Sequence, residues 1–356
     1  MSATTTLIPA SAKPSEMPRP MPLPPPITTA VFPCRSCMRP PLEVRLPSFP
    51  GWTKRSLRSR RSRVKLSPRV WSTMKPTDLV LCPLTLRKDL FRCSVAEYRT
   101  FLDAGVAAGY DAVSLALIDS GIAAAEGVGR EAFLDLFRSR GLETPIIEAV
   151  TVWSQGQSEA EIDAHLAPAF EMATAAKAET VVAICMEATV PSMDAAARGF
   201  AHVCRRAGEH GLKTTIEFFP WGAIGDIAAA WQLVQAAGEP NGGILLDTWH
   251  WGRRRAGPDF ETLARIPGDR IHVVQLSDTA EVPGPEVMRE TLSSRSLPGT
   301  GTAGVVDVLR ALREIGAKPL FAPEVFSHEL VDLGPAEMTR RVAAASRAVL
   351  AEAGWL

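Results

Sequence analysis

The sequence predicts a single (β/α)8 barrel preceded by a disordered N-terminal extension. From Asp78 onward, short aliphatic runs alternate strictly with amphipathic helical stretches, eight of each over about 280 residues. Regular strand–helix alternation means a parallel sheet with helices outside it, and eight units of this length match a closed barrel. Runs such as Ile244-Leu245-Leu246 are apolar without alternation, as expected of a strand buried on both faces. An open, doubly wound sheet would carry a Gly-rich dinucleotide fingerprint after an early strand, and none stands there.

Residues 79–84 read as the first strand. Ser94 and Glu97 then form a capping-box pattern for a helix running to Ala108 and stopped by Gly109. The second strand is expected over 112–117, followed by one helix to Arg140 with Gly141 behind it. The third strand is 145–152, and Ser158 with Glu161 repeats the capping box. The fourth is 180–186, followed by a helix over 192–210 with Gly211 as its stop. The fifth is 213–218, with a helix over 224–237. The sixth is 243–247, with a short helix over 259–265. The seventh is 270–277; a long loop, 278–302, leads to a helix over 304–315. The eighth strand is 319–325, and a helix over 335–353 closes the chain.

Domain boundaries follow from composition. Residues 1–76 form a Pro/Arg-rich extension, and residues 77–356 form the barrel. The first 73 residues carry 13 Lys/Arg against 2 Asp/Glu, and the rest carry 26 against 37. Pro-, Ser- and Arg-rich composition resists regular structure. It fits a basic tail or an organellar transit segment; a third reading starts translation at Met74 and leaves the upstream residues outside the functional protein. The acidic remainder gives no reason to expect a nucleic-acid partner. No apolar stretch approaches the length of a membrane span. Six scattered cysteines suit a reducing, cytoplasmic compartment, and Cys34-Arg35-Ser36-Cys37, a lone CxxC, is a weak metal signal. Self-association into a homo-oligomer stays open.

The ends of the last four strands carry the chemistry. Strand five ends at Glu217, six at Asp247, seven passes through Gln275, and eight ends at Glu324. In a parallel barrel that end is where active sites lie. Three crowded carboxylates repel one another, so a divalent cation is the natural compensation. An oxygen-only donor set favours Mn²⁺ or Mg²⁺, with Co²⁺ as a further candidate, over zinc. Arg295, in the long loop, suits a carboxylate or phosphate of a substrate. Trp153, Trp221, Trp249 and Trp251 follow strands three, five and six and place indoles near the mouth, with Trp249 the chosen substrate contact. Glu187, at the end of strand four, is a further candidate. The glycines 299 and 301 precede a helix, as a phosphate site would require, though a turn explains them equally well.

Glu217, Asp247 with His250 three residues on, Gln275 and Glu324 together resemble the xylose isomerase-like TIM barrel superfamily, often labelled sugar phosphate isomerase/epimerase. The resemblance covers residues 78–353. It implies a metal held by those four residues, a substrate contact at His250, an orienting acid at Asp278, and a proton exchanged between Glu217 and Glu324. Gln at 275, where many sugar epimerases have His, is similar to hydroxypyruvate isomerases and 3-dehydroshikimate dehydratases. The extra histidines of the apurinic endonucleases on this barrel are missing, since His165, His202 and His210 fall on predicted outer helices.

The expected activity is isomerisation or epimerisation of a small polyhydroxy carbonyl compound, through proton abstraction beside the carbonyl and an enediolate. A dehydratase of the 3-dehydroshikimate or inosose type is the alternative. A barrel that binds a metabolite without turning it over is the reading from another class.

Overall fold

The computed structural model describes residues 78–254, 257–284 and 286–356. The extension expected over residues 1–76, with its CxxC and basic run, lies outside them. Eight parallel strands, β1 (Val80–Leu81), β2 (Ala112–Ala116), β3 (Glu143–Val150), β4 (Thr180–Ile184), β5 (Lys213–Glu217), β6 (Gly242–Asp247), β7 (Ile271–Leu276) and β8 (Leu320–Pro323), pair in chain order. A parallel bridge between Leu79 and Phe321 brings β8 back to β1 and closes the barrel.

Around the strands run α1 (Val95–Ala107), α2 (Leu117–Ala125), α3 (Arg130–Arg138), α4 (Glu159–Ala176), α5 (Met193–Glu209), α6 (Ile227–Ala237), α7 (Thr248–Gly252), α8 (Phe260–Leu263), α9 (Val287–Ser293), α10 (Val305–Glu314), α11 (His328–Val331) and α12 (Pro335–Glu352). Both expected capping boxes are formed, at Ser94–Glu97 and Ser158–Glu161. Each supplies partners for helix-end N–H groups that the helix itself cannot satisfy. No helix among the described residues is long and apolar enough to cross a membrane.

Three expectations need correction. The helix predicted from strand two to Arg140 is two helices, α2 and α3. Gly127 lies between them at φ +81°, a left-handed conformation that ends α2, and Gly129 caps α3. The loop 278–302 contains α9. The sixth strand runs directly into α7, which was not anticipated, and Asp247 is the N-cap of that helix.

Two layers of packing position the site. Strand faces and helices share a large outer core. Inside the barrel, Val80, Ala112, Ile146, Val182, Leu245, Val273 and Ala322 pack together. Strand side chains alternate faces, so the residue two positions on points inward again. Applied to this layer, the rule takes Val80 to Cys82, Ile146 to Glu148, Leu245 to Asp247, Val273 to Gln275 and Ala322 to Glu324. The aliphatic layer floors the barrel, and a layer of polar side chains stands directly above it at the carboxyl ends of the strands.

Candidate active site

That polar layer is almost fully buried. Asp247 is 0% exposed, Gln275 2%, Glu324 6%, Glu217 7% and Glu148 8%. Asp247 does two jobs with its two oxygens. Oδ1 accepts from the backbone N–H of Trp249 (2.7 Å) and His250 (3.2 Å), capping α7. Oδ2 accepts from Arg295 Nη1 at 2.6 Å. The cap fixes where α7 begins and thereby where His250 points. Its Nε2 stands 3.4 Å from Glu217 Oε1 and 3.6 Å from Asp247 Oδ2. One donor atom from each of Glu217, Asp247 and His250 falls within 4.8 Å of the others, close enough to hold one metal ion.

Glu324 joins this group through Arg295. The guanidinium Nη1 that meets Asp247 also lies 3.3 Å from Glu324 Oε2. Gln275 Nε2 donates to Glu324 Oε1 at 3.0 Å, which leaves Gln275 Oε1 buried with no hydrogen-bond partner among the described residues. A buried amide oxygen without a donor costs free energy. A cation would supply what that oxygen lacks; among the described residues the donors that meet closely enough for one ion are Glu217, Asp247 and His250, and Glu324 is grouped instead with Cys82 and Glu148.

The electrostatics reflect the crowding. Burial, then the charges of Glu324, Asp247 and Glu148, push the Glu217 carboxyl well above the usual carboxylate range. Burial raises Glu324 to about 8 despite the Arg295 charge beside it. Burial opposes ionisation of Asp247 too, but the Arg295 charge and hydrogen bond and the capping N–H bonds outweigh it and hold that carboxyl below its ordinary value. Burial lowers His250 to about 3, so the imidazole is neutral.

The remaining candidates take different places. Arg295 is 4% exposed, and its donors are engaged by Asp247, Ser277 Oγ, the Glu324 carbonyl, and the carbonyl and hydroxyl of Thr291. It sits between the carboxylates and balances their charge. Trp249 is fully buried, its ring 5.4 Å from the Arg295 guanidinium carbon and edge-on to His250. Trp153 and Trp251 are buried as well; Trp221 stacks on Phe219, and both rings meet the His250 edge. Glu187 stays at the β4 rim, 3.3 Å from Ser154 Oγ and 3.4 Å from Cys185 Sγ.

Asp278 accepts four backbone N–H bonds, from Thr279 and Ala303 to Oδ1 and from Gly299 and Gly301 to Oδ2, at 2.8–3.0 Å. Residues 299–304 read Gly-Thr-Gly-Thr-Ala-Gly, with glycine spacing like that of a phosphate-binding loop, but the chain's own carboxylate fills that cradle. The turn reading of those glycines therefore holds.

Two members of the polar layer escaped sequence reasoning, Glu148 on β3 and Cys82 after β1. The signal was available: counting by two from Ile146 and Val80 puts both inside the barrel.

A family model described as xylose isomerase-like TIM barrel matches residues 102–352. The chain belongs to that family. Relatives in sequence include a 3-dehydroshikimate dehydratase of Pseudomonas putida, 29% identical over 122 residues, which are 34% of this chain and 19% of the relative. An inosose isomerase of Bacillus velezensis is 26% identical over 148 residues, 41% of this chain and 51% of the relative. The chain thus spans about a fifth and about half of these relatives' lengths. Among solved structures, a zinc-bound IolI protein superposes with a TM-score of 0.65 at 19% identity, over 77% of this chain and 98% of the other. A 3-dehydroshikimate dehydratase of Bacillus anthracis, AsbF, described as probable, superposes at 0.58 and 15% identity, over 73% and 97%. These likenesses show a shared fold.

Proposed function

We propose that the protein is a divalent-metal-dependent isomerase or epimerase of a small polyhydroxy carbonyl compound. The observation that carries this is one buried barrel mouth that brings donor atoms of Glu217, Asp247 and His250 within 4.8 Å of one another, in the same polar layer as Glu324 and Gln275. The relatives named inosose isomerase and 3-dehydroshikimate dehydratase support enzyme action on a small cyclic substrate. A bound Mn²⁺, Mg²⁺ or Co²⁺ would supply electrostatic stabilisation of the charge that develops on the carbonyl oxygen as the neighbouring proton leaves.

The chain's own groups do the rest. Glu217 at the end of β5 and Glu324 just after β8 stand in the polar layer, and their raised proton affinities suit carboxyls that take up and return a proton. His250, neutral and bracketed by Glu217 and Asp247, orients a substrate hydroxyl or joins the donor set. Arg295 holds Asp247 ionised, and Trp249 backs both Arg295 and His250. Phe219 and Trp221 shield the imidazole edge from water. Asp278 orders the glycine loop that follows β7.

Dehydration is a second reading, favoured by the local identity to Pseudomonas 3-dehydroshikimate dehydratases. If a hydroxyl stands β to the carbonyl, removal of the same proton expels it as water, and the first half-reaction is unchanged. Elemental analysis and chelation test the shared requirement. The expected result is at least one divalent ion per chain and loss of turnover on chelation, restored by Mn²⁺ or Co²⁺. Full turnover in protein free of metal would refute the proposal.

A further inference from the structure

Cys82 and Glu148 enter the polar layer from the β1–β3 side of the barrel, and the reaction proposed above uses neither. Cys82 Sγ lies 3.7 Å from Glu324 Oε1. Glu148 is 8% exposed, and its Oε1 has no hydrogen-bond partner among the described residues. One donor atom from each of Cys82, Glu148 and Glu324 falls within 4.8 Å of the other two. Arg295 contacts Asp247 and Glu324, and no ion pair reaches Glu148 among the described residues.

We propose that Cys82, Glu148 and Glu324 form a second cation site in the barrel mouth, for a thiophilic divalent ion such as Zn²⁺. Donor chemistry sets this site apart from the first, because a sulfur donor selects zinc-like ions over Mn²⁺ or Mg²⁺. The spacing agrees. Bonds of about 2.3 Å to sulfur and about 2.0 Å to oxygen at a tetrahedral angle put the two donors about 3.5 Å apart, against 3.7 Å here. Binding sends the thiol proton to solvent and leaves a thiolate on the ion. Three protein donors leave a fourth position open for water or a substrate oxygen. Glu324 belongs to both sites: Oε1 meets Cys82 and the Gln275 amide, and Oε2 faces Arg295. A shared carboxylate is suited to holding two ions about 3.5–4 Å apart.

Cobalt titration of the chelator-stripped full chain tests this, because a thiolate on Co²⁺ gives a near-ultraviolet charge-transfer band that oxygen and nitrogen donors do not. The expected result is that band in the wild type, and two equivalents of Zn²⁺ retained on dialysis. Cys82→Ser should lose the band and one equivalent while keeping the other. Glu148→Gln should weaken the band and lose the same equivalent, with an unchanged circular dichroism spectrum in both variants. One retained equivalent and no band in the wild type would overturn the second site and leave the first standing; no retained metal at all would overturn both. A band that persists in Cys82→Ser would belong to another thiol, the Cys34–Cys37 pair included, and would also overturn it.

Discussion

Glu148 has an oxygen with no hydrogen-bond partner among the described residues and a proton affinity that burial raises to about 7; Glu324 is raised to about 8. Both therefore hold protons in the folded protein at pH values where the unfolded chain has released them. Stability is then fully present below the ordinary value of 4.5 and falls as pH rises toward the folded values. Asp247 runs the other way: its folded value is lowered, so its contribution is present above the unfolded value and is lost only in acid. Metal-free Glu148→Gln should accordingly be more stable than the wild type at pH 8, by on the order of 2 kcal/mol, and little changed at pH 4. Denaturant unfolding at the two pH values checks this; equal effects at both would rule out titration of Glu148 as the cause. Arg295 is the converse case. It is buried between Asp247 and Glu324, and its removal leaves the ionised Asp247 without a buried counter-charge, so metal-free Arg295→Ala should lose about 3–5 kcal/mol at pH 7 by the same measurement.

The segment after β7 shows how one element is held in place by a single carboxylate. Asp278 ties residues 279, 299, 301 and 303 together and pairs with Ser296 through two backbone bonds, which brings Arg295 to the mouth. Arg253 and Glu290 pair between the end of α7 and α9 and hold the other limb of the loop. Asp278→Ala should cost on the order of 3 kcal/mol, because several charge-assisted hydrogen bonds go at once; a change under about 0.5 kcal/mol in thermal unfolding would show that the loop stands without it. Legibility in the sequence divided along similar lines. Long apolar runs and paired capping residues located every strand and the main helices to within a few residues. Helix α7 is the five residues Thr-Trp-His-Trp-Gly with no periodicity to read, and α9 is seven residues among Pro, Gly and Ser. The split between α2 and α3 turns on Gly127, whose backbone angle is a property of the fold.

At the scale of the whole molecule, the barrel brings polar side chains from six strand ends, those of β1, β3 and β5 to β8, into one interior. Glu217, Asp247, Gln275 and Glu324 were legible because each stands at or near the end of an aliphatic run, where a buried polar group needs a reason. Glu148 was not, since Ile146-Ile147-Glu148-Ala149-Val150 reads as a strand continuing past its acid, and only the inward-facing layer around Ile146 reveals where the carboxylate goes. Four carboxylates from β3, β5, β6 and β8 then share one interior against Arg295. A divalent ion should stabilise the fold, by about 2.7 kcal/mol at a hundredfold excess over its dissociation constant. Calorimetry should find the gain larger at pH 8, where the carboxyls are ionised, than at pH 5. The central claim is proton removal beside a carbonyl, and NMR of substrate proton exchange in D₂O tests it most directly. With metal-loaded protein and a panel of ketoses, hydroxypyruvate, inososes and dehydroshikimate, at least one compound should exchange its α-proton, and Glu324→Gln should slow that exchange by about 10²-fold or more. No exchange in any member of the panel, or undiminished exchange in Glu324→Gln, would contradict it.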